Sequence, residues 1–119
     1  MAGPALTPEL ALDYLDELSA DIRAAAVLDA DWSVAAQRGI VGDEDGRVGE
    51  LARELWDRAI AAGGERVPAQ IEVWSGDGVV FSIRSSRWTL AVVADRPSMS
   101  SLMFYDLRKV LADLDGEGE

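Results

Sequence analysis

Residues 88–94, Trp-Thr-Leu-Ala-Val-Val-Ala, are apolar on both faces of an extended segment. Successive side chains of a strand point to opposite sides, so Trp88, Leu90 and Val92 take one face and Thr89, Ala91 and Val93 the other. A strand that is apolar on both sides is covered on both sides. It belongs in the middle of a sheet with a layer above and a layer below. That single segment restricts the chain to a three-layer α/β/α arrangement.

The neighbouring sequence supplies the rest of such a sheet. Ser75-Gly76-Asp77-Gly78 has the residues of a tight hairpin turn. It joins a strand over 69–74 to an alternating strand over 79–84. Asp95-Arg96-Pro97-Ser98 breaks the central strand. Met103, Leu107, Val110, Leu111 and Leu114 then recur at helical spacing, which predicts a helix over 100–114. Upstream, Thr7-Pro8-Glu9 is a helix start, with Thr7 as cap and Pro8 at the first helical position. Leu10, Ala11, Tyr14, Leu15 and Leu18 carry that helix to about residue 20. Ile22 to Leu28 reads as a strand, Asp29-Ala30-Asp31 as a turn, and Trp32 to Ala36 as a second strand. Gly39 to Gly46 reads as a loop. Arg47 to Ala62 reads as a helix, stopped by Gly63-Gly64.

The expected order is α-β-β-α-β-β-β-α, in one domain over 7–114. Residues 1–6 read as a loose tail and 115–119 as an acidic tail. The apolar set of the 47–62 helix is wide: Val48, Leu51, Ala52, Leu55, Trp56, Ala59 and Ile60. That is more surface than burial on one sheet uses, and it implies a second packing partner.

Composition limits the chemistry. The 119 residues include no histidine and no cysteine. Ser-His-Asp and Cys-His mechanisms are therefore closed to a single chain, and so are ordinary zinc sites. The absence of cysteine fits a cytoplasmic location, and no apolar run is long enough to span a membrane. A formal net charge of −11 opposes binding to nucleic acid or to anionic membranes. Asp43-Glu44-Asp45 fails the EF-hand pattern, because Val41 and Ala52 stand where acidic ligands belong. Gly76-Asp77-Gly78 lacks the Gly-Lys-Ser/Thr of a phosphate loop. Nothing places two carboxylates across a cleft as glycoside hydrolysis needs. The expectation is a protein that is not an enzyme, with no catalytic residue, cofactor or metal.

The order of elements, the Gly76-Asp77-Gly78 hairpin, the Trp88 to Val93 strand and the Ser98 to Leu114 helix with Leu107-Arg108 resemble the roadblock / dynein light chain family. Ala25-Ala26-Val27-Leu28-Asp29-Ala30-Asp31 resembles its first hairpin. The likeness runs from about Leu10 to Leu114. Two positions depart from it: Trp32 stands where the family commonly places a turn glycine, and Ser100-Ser101 replaces a glycine-containing step. The Trp32 departure suggests a turn one residue longer.

The resemblance implies the profilin-like roadblock fold, a three-layer α/β/α arrangement in which a five-stranded antiparallel sheet has the 47–62 helix on one face and the other two helices on the opposite face. It implies a homodimer through the 47–62 helix and the 69–74 strand. It also implies a partner, a small Ras-like GTPase whose nucleotide cycle the protein tunes. The other readings are a structural scaffold with no nucleotide-dependent partner, and a small-ligand sensor.

Physical argument asks for the same dimer. In the family's strand order the 69–74 strand is an edge, and an unpaired edge invites pairing. The expected interface residues are Leu51, Leu55, Trp56, Ala59, Ile60, Ile71, Val73 and Trp74. Trp56 and Trp74 read either as interface anchors or as core residues. Arg53 and Arg58 read as helix-surface partners of Asp57 and Glu54 in preference to arginine fingers.

Overall fold

The computed structural model describes residues 7–18, 22–41, 44–45, 48–63, 70–75, 78–95 and 100–115. Among these are three helices, α1 (Pro8–Leu18), α2 (Val48–Gly63) and α3 (Ser100–Leu114). Between them run β1 (Ile22–Asp29), β2 (Val34–Val41), β3 (Glu44–Asp45), β4 (Gln70–Ser75), β5 (Gly78–Arg84) and β6 (Trp88–Ala94). The strands form one sheet in the order β3-β2-β1-β6-β5-β4, and every adjacent pair is antiparallel. The five predicted strands are present, and the two-residue β3 adds to them beside β2.

The order explains the opening observation. β6 sits between β1 and β5 at the middle of the sheet. From Thr89 to Ala94 no residue exceeds 4% exposure. On one face, Ala25, Val27, Val79, Phe81, Ile83, Leu90 and Val92 meet Ala11, Leu12 and Leu15 of α1 and the inner side of α3. Phe81 and Phe104 pack edge-to-face there, with centroids 5.2 Å apart. On the other face, Ala24, Ala26, Leu28, Ala91 and Val93 meet Val48 and Ala52 of α2. Small alanines on both sides of this contact let the helix approach the sheet closely. Each large side chain fully buried in these layers contributes roughly 1.5–3 kcal/mol.

Local signals set several boundaries. Thr7 Oγ1 accepts the Leu10 N–H at 3.2 Å, the cap that the sequence predicts. α1 is described from Pro8 to Leu18, and residues 19 and 20 of the expected helix lie outside the described residues. The first hairpin turns over Asp29–Ser33, where the Asp29 carboxylate accepts the N–H groups of Asp31 (2.9 Å) and Ser33 (3.1 Å). Trp32 has φ 67°, the left-handed conformation that a glycine takes without cost.

β2 differs from expectation. It starts at Val34 instead of Trp32 and continues to Val41, through residues that read as loop. Gly39 is the reason. It lies opposite Ala24 with φ 94°, and a Cβ there would stand 2.2 Å from the Arg23 carbonyl oxygen. The glycine marks close approach of two strands, not a loop.

Residues 1–6, 19–21, 42–43, 46–47, 64–69, 76–77, 96–99 and 116–119 lie outside the described residues, and with them the expected tails, the expected turn at 76–77 and the break after the central strand at 96–98. Among the described residues, no helix is long and apolar enough to cross a membrane.

Candidate interaction surface

β4 is one edge of the sheet. Its register with β5 assigns its side chains to faces. Ile71 and Val73 oppose Ser82 and Val80, on the α2 side; Glu72 and Trp74 oppose Phe81 and Val79, on the α1/α3 side. α2 packs against β1, β2 and β6, so it covers the opposite half of this face. Ile71 and Val80 are therefore half-buried, and Val73 remains 36% exposed.

α2 carries two apolar rows at four-residue spacing. Val48, Ala52 and Trp56 form the inner row, each no more than 1% exposed. Leu51, Leu55 and Ala59 form the second row, and all are half-buried, as is Ile60. At its start the helix lies close to β2. Gly49 donates its N–H to Gln37 Oε1 at 3.3 Å, and a Cβ on Gly49 would reach 2.5 Å from the Val34 methyl.

The eight expected interface residues thus divide. Leu51, Leu55, Ala59, Ile60, Ile71 and Val73 are half-buried or exposed, and all belong to α2 or to the α2 side of β4. Trp56 does not join them. It is fully buried within the protomer, and its indole N–H donates to Ser82 Oγ at 2.8 Å. Its side chain has no free surface for an anchor role. Trp74 is 62% exposed but points to the opposite face, where its indole N–H donates to the Glu72 carboxylate.

Of the two expected helix-surface ion pairs, Arg58–Glu54 forms at 2.9 Å. Arg53 makes no ion pair among the described residues; Asp57 is solvated beside it. Sequence reasoning also missed an ion pair between layers. Arg38 of β2 bridges Asp13 at 2.5 Å and Asp16 at 3.1 Å on α1. Hydrogen bonds from Arg38 to Asp13 and then to Asp16 hold its guanidinium protonated above its ordinary range. The raised value favours folding while the arginine is charged beside ionised carboxylates, and that contribution is lost as pH rises through the arginine's own titration. Such long-range pairing leaves no local trace in sequence.

A cleft of about 300 Å³ opens on the α1/α3 side, between β5 and the end of α3. Ile83, Leu111 and Ala112 line its apolar part. Four of its polar lining residues are paired with one another: Arg108 donates to Gln70 Oε1 at 3.2 Å, and Ser85 donates to the Asp115 carboxylate at 3.1 Å. Under α2 the described face of the sheet is filled by alanines, which leaves little room for a sensed ligand. Among the described residues no group of three acidic side chains is arranged to hold a metal ion. Glu44 and Asp45, part of the acidic run in the sequence, belong to β3; Asp43 lies outside the described residues.

No protein-family model matches the chain, and no curated protein matches it in sequence. Solved structures match its fold. A roadblock/LC7 domain from Streptomyces avermitilis superposes with a TM-score of 0.68 at 21% identity, covering 81% of this chain and 84% of that one. The gliding protein MglB from Thermus thermophilus gives 0.68 at 16% identity over 98% of both chains. An MglB with a tetrameric arrangement gives 0.69 at 16% identity, over 98% of this chain and 97% of that one. At these identities the likeness is one of fold, and it extends over nearly the whole length of two of the three. The chain has the three-layer α/β/α architecture of the roadblock/LC7 domains.

Proposed function

We propose that this protein is a homodimeric adaptor, not an enzyme, that binds a small Ras-like GTPase and tunes its nucleotide cycle. The observation that carries the reading is the continuity of a sheet edge with uncovered apolar surface. β4 is the last strand on its side of the sheet. Ile71 and Val73 on it, and the Leu51-Leu55-Ala59 row of α2, lie on one face of the sheet. A two-fold axis beside β4 would pair the two edges antiparallel and bring the second rows of both α2 helices together. The dimer would present a continuous sheet backed by two helices, a broad surface for a third protein.

The likeness to MglB, a gliding protein that also occurs in a tetrameric arrangement, supports an assembling regulator over an isolated domain. The net charge of −11 favours a partner with a neutral or basic contact face. Arg53 and Arg58, both exposed, act at most as rim contacts; the dimer would work by holding the GTPase's own switch segments.

The test is retention of a GTPase from the same cell on the immobilised dimer, loaded with GDP or with a GTP analogue. Stronger retention in one nucleotide state is the expected result. Equal retention in both states would leave a scaffold role, and no retention would remove the GTPase.

A further inference from the structure

Arg84 ends β5 on the α2 side of the sheet. Its guanidinium carbon stands 5.1 Å from the centroid of the Trp32 ring and 5.4 Å from that of Trp56. The two indoles come from different elements, the β1–β2 turn and α2. Ring faces attract a cation through their quadrupole, but they accept none of the directed hydrogen bonds that the five guanidinium N–H groups offer. The Arg84 guanidinium makes no hydrogen bond and no ion pair among the described residues. The exposed Arg53 is equally unpaired, but water solvates it. Arg84 is half-buried, in a chain with 22 acidic residues from which to draw a partner.

A second observation comes from the next strand. Thr89 stands directly opposite Arg84 in the β5–β6 register, on the same face. It is 4% exposed, and its hydroxyl makes no hydrogen bond among the described residues. Directly opposed side chains start about 5 Å apart at Cβ. An open cation and an open hydroxyl therefore sit side by side beneath two indoles. One of those indoles is held there by a backbone in the left-handed region, φ 67° at Trp32, a conformation disfavoured for residues other than glycine.

We propose that Arg84, Thr89, Trp32 and Trp56 form a recognition site for a single carboxylate, carried by a glutamate or aspartate side chain of a protein partner. The guanidinium takes the carboxylate through paired N–H donors, and the threonine hydroxyl adds a third. The half-buried Trp32 indole packs the methylene stem, the buried Trp56 indole backs the guanidinium from within the protomer, and the water they exclude strengthens the charged hydrogen bonds. The net charge of −11 opposes polyphosphates and anionic membranes, whereas one carboxylate on an otherwise neutral or basic surface escapes that repulsion. This site lies wholly within one protomer, so it stands or falls separately from the dimer and the GTPase.

The test is NMR of the full chain, following the Arg84 Nε–H and the Trp32 and Trp56 indole signals. The probes are N-acetyl-glutamate N-methylamide, its uncharged glutamine counterpart, inorganic phosphate and sodium chloride, at matched ionic strength. The expected result is saturable shifts at Arg84 and Trp32 with the glutamate probe alone. Binding is lost in Arg84→Met, about tenfold weaker in Arg84→Lys, and weaker in Thr89→Val. If Arg84→Met does not fold, Arg84→Lys carries the comparison. Shifts that never saturate, or that chloride reproduces, overturn the site. Saturation by phosphate in place of glutamate overturns the assignment to a carboxylate. Unchanged binding in Thr89→Val removes the threonine from it.

Discussion

Trp56 and Ser82 join two layers through one buried chain of hydrogen bonds. The indole N–H donates to Ser82 Oγ at 2.8 Å, and Ser82 donates onward to the Leu90 carbonyl at 2.8 Å. Both side chains are fully buried. Ser82→Ala leaves the indole N–H without an acceptor, and a stranded buried donor costs about 1–3 kcal/mol. Urea unfolding is expected to show a lower midpoint at an unchanged slope. An unchanged midpoint would mean that α2 is not fastened to β5 in this way. Gly39 makes a separate demand. A Cβ there meets the Arg23 carbonyl oxygen at 2.2 Å in a backbone with φ 94°. Gly39→Ala should destabilise by at least about 1 kcal/mol, read by the same unfolding experiment. A neutral or stabilising result would contradict the β1–β2 register.

The elements differ in how plainly the sequence announced them. β5, β6 and α3 were legible because period-two and helical patterns are local, and their boundaries fall within a residue of expectation. β2 was not, because Gly39 carries the same letter in a loop as at a close strand approach; only the neighbour β1 separates the two. The surplus apolar surface of α2 was also legible. Which of its rows turns inward was not, because a helical stripe does not specify the strands on which it lands. Trp56 therefore read either as an anchor or as core, and in the fold it is core, while Leu51 and Leu55 kept part of their exposure. The consequence is testable on α2 and β4. Leu55→Glu and Val73→Lys each place a charge on half-covered apolar surface without touching the inner row. Both should keep the wild-type circular dichroism spectrum, and both should elute from a sizing column as smaller particles than wild type. Variants that elute unchanged would move the contact elsewhere.

The assembled fold turns these local facts into a surface. One side of the sheet is closed by α1 and α3, with Arg38 bridging β2 to α1. The other side is closed by α2 over β1, β2 and β6 and left half-covered near β4. In the proposed dimer a second copy of the chain would cover that gap. Light scattering of the purified protein at micromolar concentration weighs the particle without labels or partners. The expected mass is twice the 12.8 kDa of the chain. A mass of 12.8 kDa, unchanged on concentration, would contradict pairing through β4 and α2.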